Sequence, residues 1–396
     1  MSPREQTSAS LPVLISGYYG FDNLGDEAIL ESIIQWFEKR DDAYPVVLSA
    51  NPKATYDTYQ VDSISRTRLF KILKRITGSP VLLQGGGGLL QDKTSLKSLF
   101  YYLVIMMLGF ITGRRVVAFG QGIGPLEGEF SPYLAGEFLG QCDLVCVRDF
   151  KSFSFCQQRF PVTKKPVLMA DAALILDSAD PDRVEDIFLQ ENMDLVGEPL
   201  VAFCVKGPMK DRRQITAIAR AIDMTTSELG GGVSLIPFHH PVDVEYAEAV
   251  KAMVQEQDSV QIIKGKYNPA EVLGLIGKCD LVVGMRLHSL IFAANRGVPF
   301  IPVSYDPKID EFAGEFGMKP AVHVPLIGPE MLFDAIADTY EVRGRIKTRI
   351  TETTGRLRER TMVGFNALGE FLDSLELKKV VMLRAKKRRD AEISKT

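Results

Sequence analysis

The sequence is poor in the residues that build disulfide frameworks and metal sites. Its 396 residues hold five cysteines, Cys142, Cys146, Cys156, Cys204 and Cys279, an odd number with no CxxC pair. That excludes a stapled secreted scaffold and fits buried thiols in a reducing cytoplasm. The four histidines, His239, His240, His288 and His323, include no HxxxH pair, so no metal site is expected. No Gly-Lys-Ser/Thr follows either glycine-rich loop and no GxGxxG opens the first helix, which leaves a dinucleotide or other resident cofactor unsupported. The polar start "MSPREQTSAS" lacks the apolar core of a secretory signal. The most apolar helical stretch, "LFYYLVIMMLGFITG" (residues 99–113), falls short of the about 20 residues that cross a bilayer. It reads as a buried core helix, with shallow insertion into lipid as the alternative.

What is present is the composition of a soluble globular protein, 46% hydrophobic and 24% charged, in a chain long enough for two domains. The net charge of −3 hides a basic end: residues 378–389, "KKVVMLRAKKRR", carry seven Lys or Arg and no acid, leaving −10 for the remainder. This tail is either a solvated end or a contact for an anionic membrane. An acidic body with no second basic face argues against nucleic acid as a partner.

Short β-rich apolar runs alternate with helical patterns along the whole chain. Strands are expected at 12–16, 46–50, 81–84, 115–120, 143–148 and 167–170, then at 200–205, 233–237, 260–263, 281–284 and 300–303. Several are nearly all apolar, as in parallel strands covered on both faces. Helices are expected at 26–39, 211–229, 243–255 and 288–295. The pattern predicts an α/β protein of two Rossmann-type doubly wound parallel-sheet domains facing a central cleft. Expected bounds are 1–180 for the first domain and 195–345 for the second. A helix over 346–377 is expected to pack back on the first, followed by the tail 378–396. A faint echo between "QCDLVCVRDFKSFSF" and "KCDLVVGMRLHSLIF" offers an arginine at the same strand-to-helix edge in each half.

Ligands of such sheets bind beyond the carboxyl ends of the strands, so the loops there carry the chemistry. The opening loop, "SGYYGFDNLGDEAIL", brings Asn23, Gly25 and Asp26, far more than a plain connection needs. "GGGGLL" includes Gly86 and Gly87; one glycine satisfies a packing turn, and four suggest main chain left bare for a ligand. In "LVVGMRLHSLIF", Arg286, Leu287 and His288 form a turn and Ser289 opens an apolar helix. A helix N-terminus with Arg and His beside it makes an anion site. The bland reading there is an interdomain salt bridge for Arg286 and a cap for His288. Arg148, in the echo segment, supplies a second guanidinium or an ion pair with Asp149 or Asp171.

At this point a resemblance stands out. "GYYGFDNLGDEAIL", "QGGGGLLQD", "FGQGIGPL", "VRD" and "NPAEVLGLIGKCDLVVGMRLHSLIFA" resemble, in order, the motifs of the polysaccharide pyruvyl transferase family, most closely its bacterial cell-wall-anchoring type. The likeness runs over about residues 11–330 and leaves out the basic tail. It implies a GT-B-like architecture, and transfer of pyruvate from phosphoenolpyruvate to two hydroxyls of one sugar as a cyclic ketal, with release of phosphate. It implies that Arg148 and the Arg286-Leu287-His288 turn hold the donor. It also implies an amino-sugar acceptor on a lipid-linked cell-wall glycopolymer precursor, met at the inner face of the membrane.

These residue types suit that reaction. Guanidinium forks match a carboxylate and a phosphate bidentately. Protonating the donor's methylene carbon needs a group that titrates near neutrality, so His288 is the candidate acid, or a phosphate ligand. Asp26 is the candidate base for the acceptor hydroxyl, with capping of the following helix as its alternative. Lys206, His240 and Lys308 are weaker candidates at loop positions. The rival enzymatic reading is a nucleotide-sugar glycosyltransferase on the same architecture, although no acidic pair is placed to hold a ribose. A non-catalytic sugar- or phosphate-binding scaffold is the alternative of another class.

Overall fold

The structure, a computed structural model, describes residues 10–93, 95–161, 164–193, 198–207 and 211–393, without the side chains of 325 and 376–393. The expectations for residues 1–9, for 194–197 in the linker and for 394–396 lie outside the described residues.

The apolar runs pair in parallel into two sheets. The first contains β1 (Leu11–Ser16), β2 (Ala43–Ser49), β3 (Asp62–Ser65), β4 (Val81–Gln84), β5 (Gly87–Leu90), β6 (Arg115–Ile123), β7 (Leu144–Val147) and β8 (Val167–Leu168). Its order is β3-β2-β1-β4-β6-β7-β8, with β5 alongside β6. The second contains β9 (Leu200–Cys204), β10 (Gly232–Leu235), β11 (Val260–Ile262), β12 (Leu281–Gly284), β13 (Phe300–Ser304) and β14 (Val322–His323), ordered β11-β10-β9-β12-β13-β14. In each sheet the order reverses once, between β1 and β4 and between β9 and β12. Those reversals are the topological switch points at which ligands sit.

Helices cover both faces. In the first half these are α1 (Leu24–Glu38), α2 (Pro52–Tyr59), α3 (Leu69–Gly78), α4 (Leu96–Ile111), α5 (Ser131–Gln141), α6 (Phe150–Arg159) and α7 (Pro181–Gln190). In the second they are α8 (Arg212–Leu229), α9 (Val242–Lys251), α10 (Pro269–Ile276), α11 (Leu287–Arg296), α12 (Pro307–Glu315), α13 (Pro329–Glu341) and α14 (Arg343–Ile393). α14 ties the halves together: Ile350 and Leu357 enter the core around α11, while Phe365, Leu368 and Leu372 enter the core under β1 and β4. The backbone of 378–393 continues this helix, in keeping with its Lys, Arg, Leu, Met and Ala content.

The two halves share one apolar cluster, in which Leu24 and Ala28 of α1 meet Phe238, Leu273, Leu287 and Ile291. Backbone bonds cross the same seam: Leu24 N–H donates to Phe238 O at 2.8 Å and His240 N–H to Asp22 O at 3.1 Å. Glu31 of α1 accepts from the Ala270 N–H at the start of α10, at 3.2 Å. Docking the second half is therefore one purpose of the opening loop.

Three sequence expectations change. α4 is not fully buried: Leu99, Tyr102, Leu103 and Met106 face the core, but Leu96, Phe100, Val104, Met107 and Ile111 stand exposed. The N-cap of α1 is Asn23, whose Oδ1 accepts from Gly25 N–H at 3.2 Å, so Asp26 lies in the first turn and does not cap. The glycine run is not a bare loop: Gly87–Leu90 form β5, which continues the sheet beside the far half of β6.

Candidate active site

The loops at the two switch points meet across a cavity of about 420 Å³. From the first sheet come Asn23, Gly25, Asp26, Gly87 and Gly88, with Arg148 from the end of β7. From the second come His239, Arg286, Leu287, His288, Tyr305 and Lys308. Arg148 and Lys308 also line two adjoining cavities of about 480 and 140 Å³. The larger one runs past Leu174, Ile291, Phe312 and Leu357. This continuous cleft has far more room than a three-carbon anion requires.

Each arginine is held by its own buried acid. Arg148 Nη1 donates to Asp171 Oδ2 at 2.6 Å, and Asp171 Oδ1 accepts from Ala173 N–H at 3.1 Å. Arg286 grips Asp243 with both Nε, at 2.9 Å, and Nη2. Asp243 is fully buried and is fixed by Gly207 N–H at 3.0 Å and Phe238 N–H at 3.2 Å. Arg286 lines the cavity, and the interdomain salt bridge expected as its alternative is not the one observed. Its salt bridge, to Asp243, lies within the second half instead of crossing between domains. A guanidinium has five N–H donors, so both residues, which line the cavity, keep donors beyond those given to their acids. Pairing fixes their direction and lowers the net positive charge.

His288 projects from the first turn of α11. Its Nε2 makes no hydrogen bond and faces Asp171 Oδ2 at 3.7 Å, an ion-pair distance too long for a hydrogen bond. Burial pushes the Asp171 carboxyl up, but Arg148 and His288 outweigh it and hold that carboxyl well below the usual range. Asp26 shows the opposite balance: burial pushes its carboxyl up, and the attraction of His288, Arg148 and Lys308 offsets this only in part. Its Oδ2 accepts from Asn23 Nδ2 at 2.6 Å. The Lys308 ammonium is pushed down, chiefly by burial, with Arg148 and Arg286 adding repulsion and Asp306 opposing. Two buried carboxylates with opposite shifts therefore flank one imidazole, the pattern of groups set for different proton roles.

The glycines make room for these side chains. A Cβ on Gly25 would land on the His288 imidazole, one on Gly87 would sit 2.9 Å from Asp26 Oδ1, and one on Gly122 2.7 Å from Arg148 Nε. Within the run itself, Gly85 makes room for Tyr19 and Gly86 for Ile29, at 2.9 Å, and only Gly88 opens onto free space. Gly85 and Gly86 are thus packing positions, with Gly86 buried, contrary to the sequence reading for Gly86, while Gly87 and Gly88 line the cavity.

Other candidates disperse. Ser289 is fully buried and donates to Arg286 O at 2.6 Å, closing the turn and offering nothing to a ligand. His240 lines a separate cavity of about 250 Å³ with Glu27 and Lys266, and it is the neighbouring His239, bridged to Asn23, that faces the main cleft. Lys206 lies over the Tyr305 ring at 4.4 Å, one layer behind the cavity wall. Lys308 lines all three connected cavities. Asp171, Asp243, Tyr18, Tyr102 and Tyr305 belong to the site without having been singled out for it. Asp171 had been in view only as a possible ion-pair partner of Arg148, and Asp243, in the first turn of α9, carried no signal of its role. Among the described residues no group of three or more His, Cys, Asp or Glu is placed to hold a metal.

Comparison with known structures places the fold among GT-B-like proteins. Staphylococcus aureus MnaA, solved with UDP, superposes with a TM-score of 0.65 at 10% identity, over 93% of this chain and 97% of that one. Anabaena HepE, solved with UDP and glucose, gives 0.61 at 13% identity over 92% and 100%. The amylovoran biosynthesis protein AmsJ of Erwinia amylovora is 21% identical over 215 residues, 51% of this chain. The match spans only about half of that protein, 52% of its length. The model of the polysaccharide pyruvyl transferase family matches residues 23–307, from the N-cap of α1 through the start of α12, a span that takes in Asn23, Asp26, Arg148, Arg286 and His288 of the cleft and leaves out Tyr18 and Lys308. The chain belongs to the polysaccharide pyruvyl transferase family.

Proposed function

We propose that the chain transfers pyruvate from phosphoenolpyruvate to two hydroxyls of an amino-sugar residue, on a lipid-linked cell-wall glycopolymer precursor. The observation that carries this is the meeting of Arg148, Arg286, Lys308, His288 and Asp26 at one cavity. The forks of Arg148 and Arg286, pre-oriented by Asp171 and Asp243, suit the carboxylate and phosphate of the donor. Lys308 adds a point charge, and the free N–H groups that open α11 favour the phosphate.

His288 delivers a proton to the methylene carbon of the enol, making it a methyl and leaving an oxocarbenium-like C2. A sugar hydroxyl attacks C2 as Asp26 takes its proton. The C2–O bond to phosphorus then breaks, and a second hydroxyl closes the ketal. Two hydroxyl protons are lost in all: one replaces the proton given to carbon, and the other leaves with the phosphate. The raised Asp26 pKa suits a base that must also give its proton back. The wall of Tyr18, Tyr102 and Tyr305 beside Ser95 and Ser98 provides stacking and hydroxyl partners for a sugar.

The test is phosphate release from phosphoenolpyruvate across a panel of lipid-linked and soluble disaccharides. Acceptor-dependent release that falls at least 100-fold in Arg148→Ala and His288→Ala supports the reading. Release of a nucleotide from a sugar nucleotide, with phosphoenolpyruvate untouched, overturns it.

A further inference from the structure

α4 carries an apolar stripe on the face turned away from the sheet. Leu96, Phe100, Val104, Met107 and Ile111 are 53, 51, 41, 38 and 73% exposed, and recur every three or four residues along its whole length. α3, packed beside it, adds Leu69 at 53% and Phe70 at 89%. Apolar side chains this large and this contiguous mark an interaction surface.

The charge around the stripe is one-sided. Residues 66–126 contain nine Lys or Arg and a single acid, Asp92, a net +8 that leaves −11 for the rest of the chain. Arg75 and Arg115 are paired with Asp62 and Asp143. Arg68, Lys71, Lys74, Lys93 and Lys97 are exposed, and none has an acidic partner among the described residues. The body therefore does carry a second basic cluster, on and just ahead of α3 and at the start of α4, which the sequence reading did not expect. An apolar stripe flanked by cations is the composition of an interfacial membrane surface and does not match a nucleic-acid groove. Among the described residues no helix is long and apolar enough to cross a membrane, so this face would lie on the lipid.

Its position gives it a use. The first turns of α4 supply Ser95, Ser98 and Tyr102 to the cleft wall, so the exposed stripe starts at the mouth of the site. Arg66, ahead of α3, stacks over Tyr101 at 4.2 Å and Phe21 at 4.9 Å, and Tyr101 Oη donates to Arg66 O at 3.1 Å. The face and the opening loop are thus braced to each other.

We infer that the outer face of α3 and α4 docks on an anionic lipid bilayer, seating the mouth of the cleft at the membrane surface. This deepens the proposed function, because an acceptor anchored by its lipid would then present its sugar to the site. Basic residues gather the protein to the surface, and Phe70, Phe100 and Ile111 enter it.

The test is vesicle flotation, which involves no catalysis and so fails independently of the proposed reaction. Wild-type protein should float with phosphatidylglycerol-containing vesicles, weakly with purely zwitterionic ones, and less at 0.5 M salt (roughly 4 Å screening). The combined variant Phe70→Ser, Phe100→Ser, Ile111→Ser, altered only at exposed sites, should partition about tenfold less or worse. Lys71→Glu with Lys74→Glu should abolish the preference for anionic lipid. Both should keep the wild-type circular dichroism and the wild-type turnover of a soluble acceptor. Undiminished flotation of the variants, or flotation lost only when the chain ends at residue 377, overturns the inference. So does light scattering that shows a wild-type dimer split by the same substitutions, since the face would then belong to a second copy.

Discussion

Asp171→Asn separates the two tasks that the structure gives this carboxylate. It keeps the side-chain shape but removes the charge that pairs with Arg148 at 2.6 Å and faces His288 Nε2 at 3.7 Å. Asp171 is 7% exposed, and Arg148 shows 11% of its side chain. Breaking one partner of a buried pair costs about 3–5 kcal/mol. For a domain of this size that lowers the melting temperature by on the order of 10 °C. The freed guanidinium then sits at the anion site with one negative charge fewer. At an effective dielectric near 20 and a separation of about 5 Å, that favours a bound anion by up to roughly 3 kcal/mol. Inorganic phosphate or phosphoenolpyruvate should therefore bind the variant tenfold or more tightly and restore much of the lost melting temperature. Turnover should fall at the same time, because His288 loses the carboxylate it faces. The assay is thermal unfolding over a phosphate titration, with kcat and KM measured alongside. A variant that melts with wild type and gains no more from phosphate would refute the reasoning.

Three other outcomes follow from named contacts. Gly25→Ala drives a methyl into the His288 ring; a misplacement of about 1 Å should cost about 100-fold in kcat, with the unfolding midpoint little changed. Asp26→Asn should lower kcat by about 10²–10⁴ and remove the acidic limb of the pH–rate profile, along which wild-type activity falls as Asp26 takes up a proton. Glu27, buried on α1, is pushed by burial from 4.5 to about 7, against hydrogen bonds from Gly20 N–H and Tyr59 Oη. Its folded-state pKa is the higher one, so its contribution to stability is complete below the ordinary carboxylate range and is lost as pH rises through 7. That amounts to roughly 3 kcal/mol by pH 8. Glu27→Gln should flatten this dependence in urea melts at pH 6 and 8.5.

Both sheets were legible because parallel strands buried on two faces read as apolar runs, as at β1, β4, β9 and β12. β3 was missed because "DSIS" is a half-exposed edge strand, and β5 because glycines carry no side-chain pattern. Asp26, Arg148 and His288 were singled out by one rule, that chemistry collects beyond strand ends, and the fold brings all three to one cavity. What the rule could not supply was pairing. Asp171 had been offered only as one of two possible partners of Arg148, beside Asp149, and the fold selects it; Asp243, 43 residues from Arg286, was not in view at all until the sheets brought it there. The same limit confused His240 with His239, since neighbouring residues at the seam face different cavities. The exposed side of α4 was hidden because an apolar helix sequence does not say which neighbours will cover it.

The central claim is that this cleft turns phosphoenolpyruvate and two sugar hydroxyls into one ketal. Carbon NMR of the acceptor after incubation with ¹³C-labelled phosphoenolpyruvate tests it most directly. The account predicts a single quaternary carbon bonded to a methyl, a carboxylate and two sugar oxygens, formed in step with phosphate. A retained vinyl carbon, or acceptor recovered unlabelled while the protein consumes a sugar nucleotide, would contradict it.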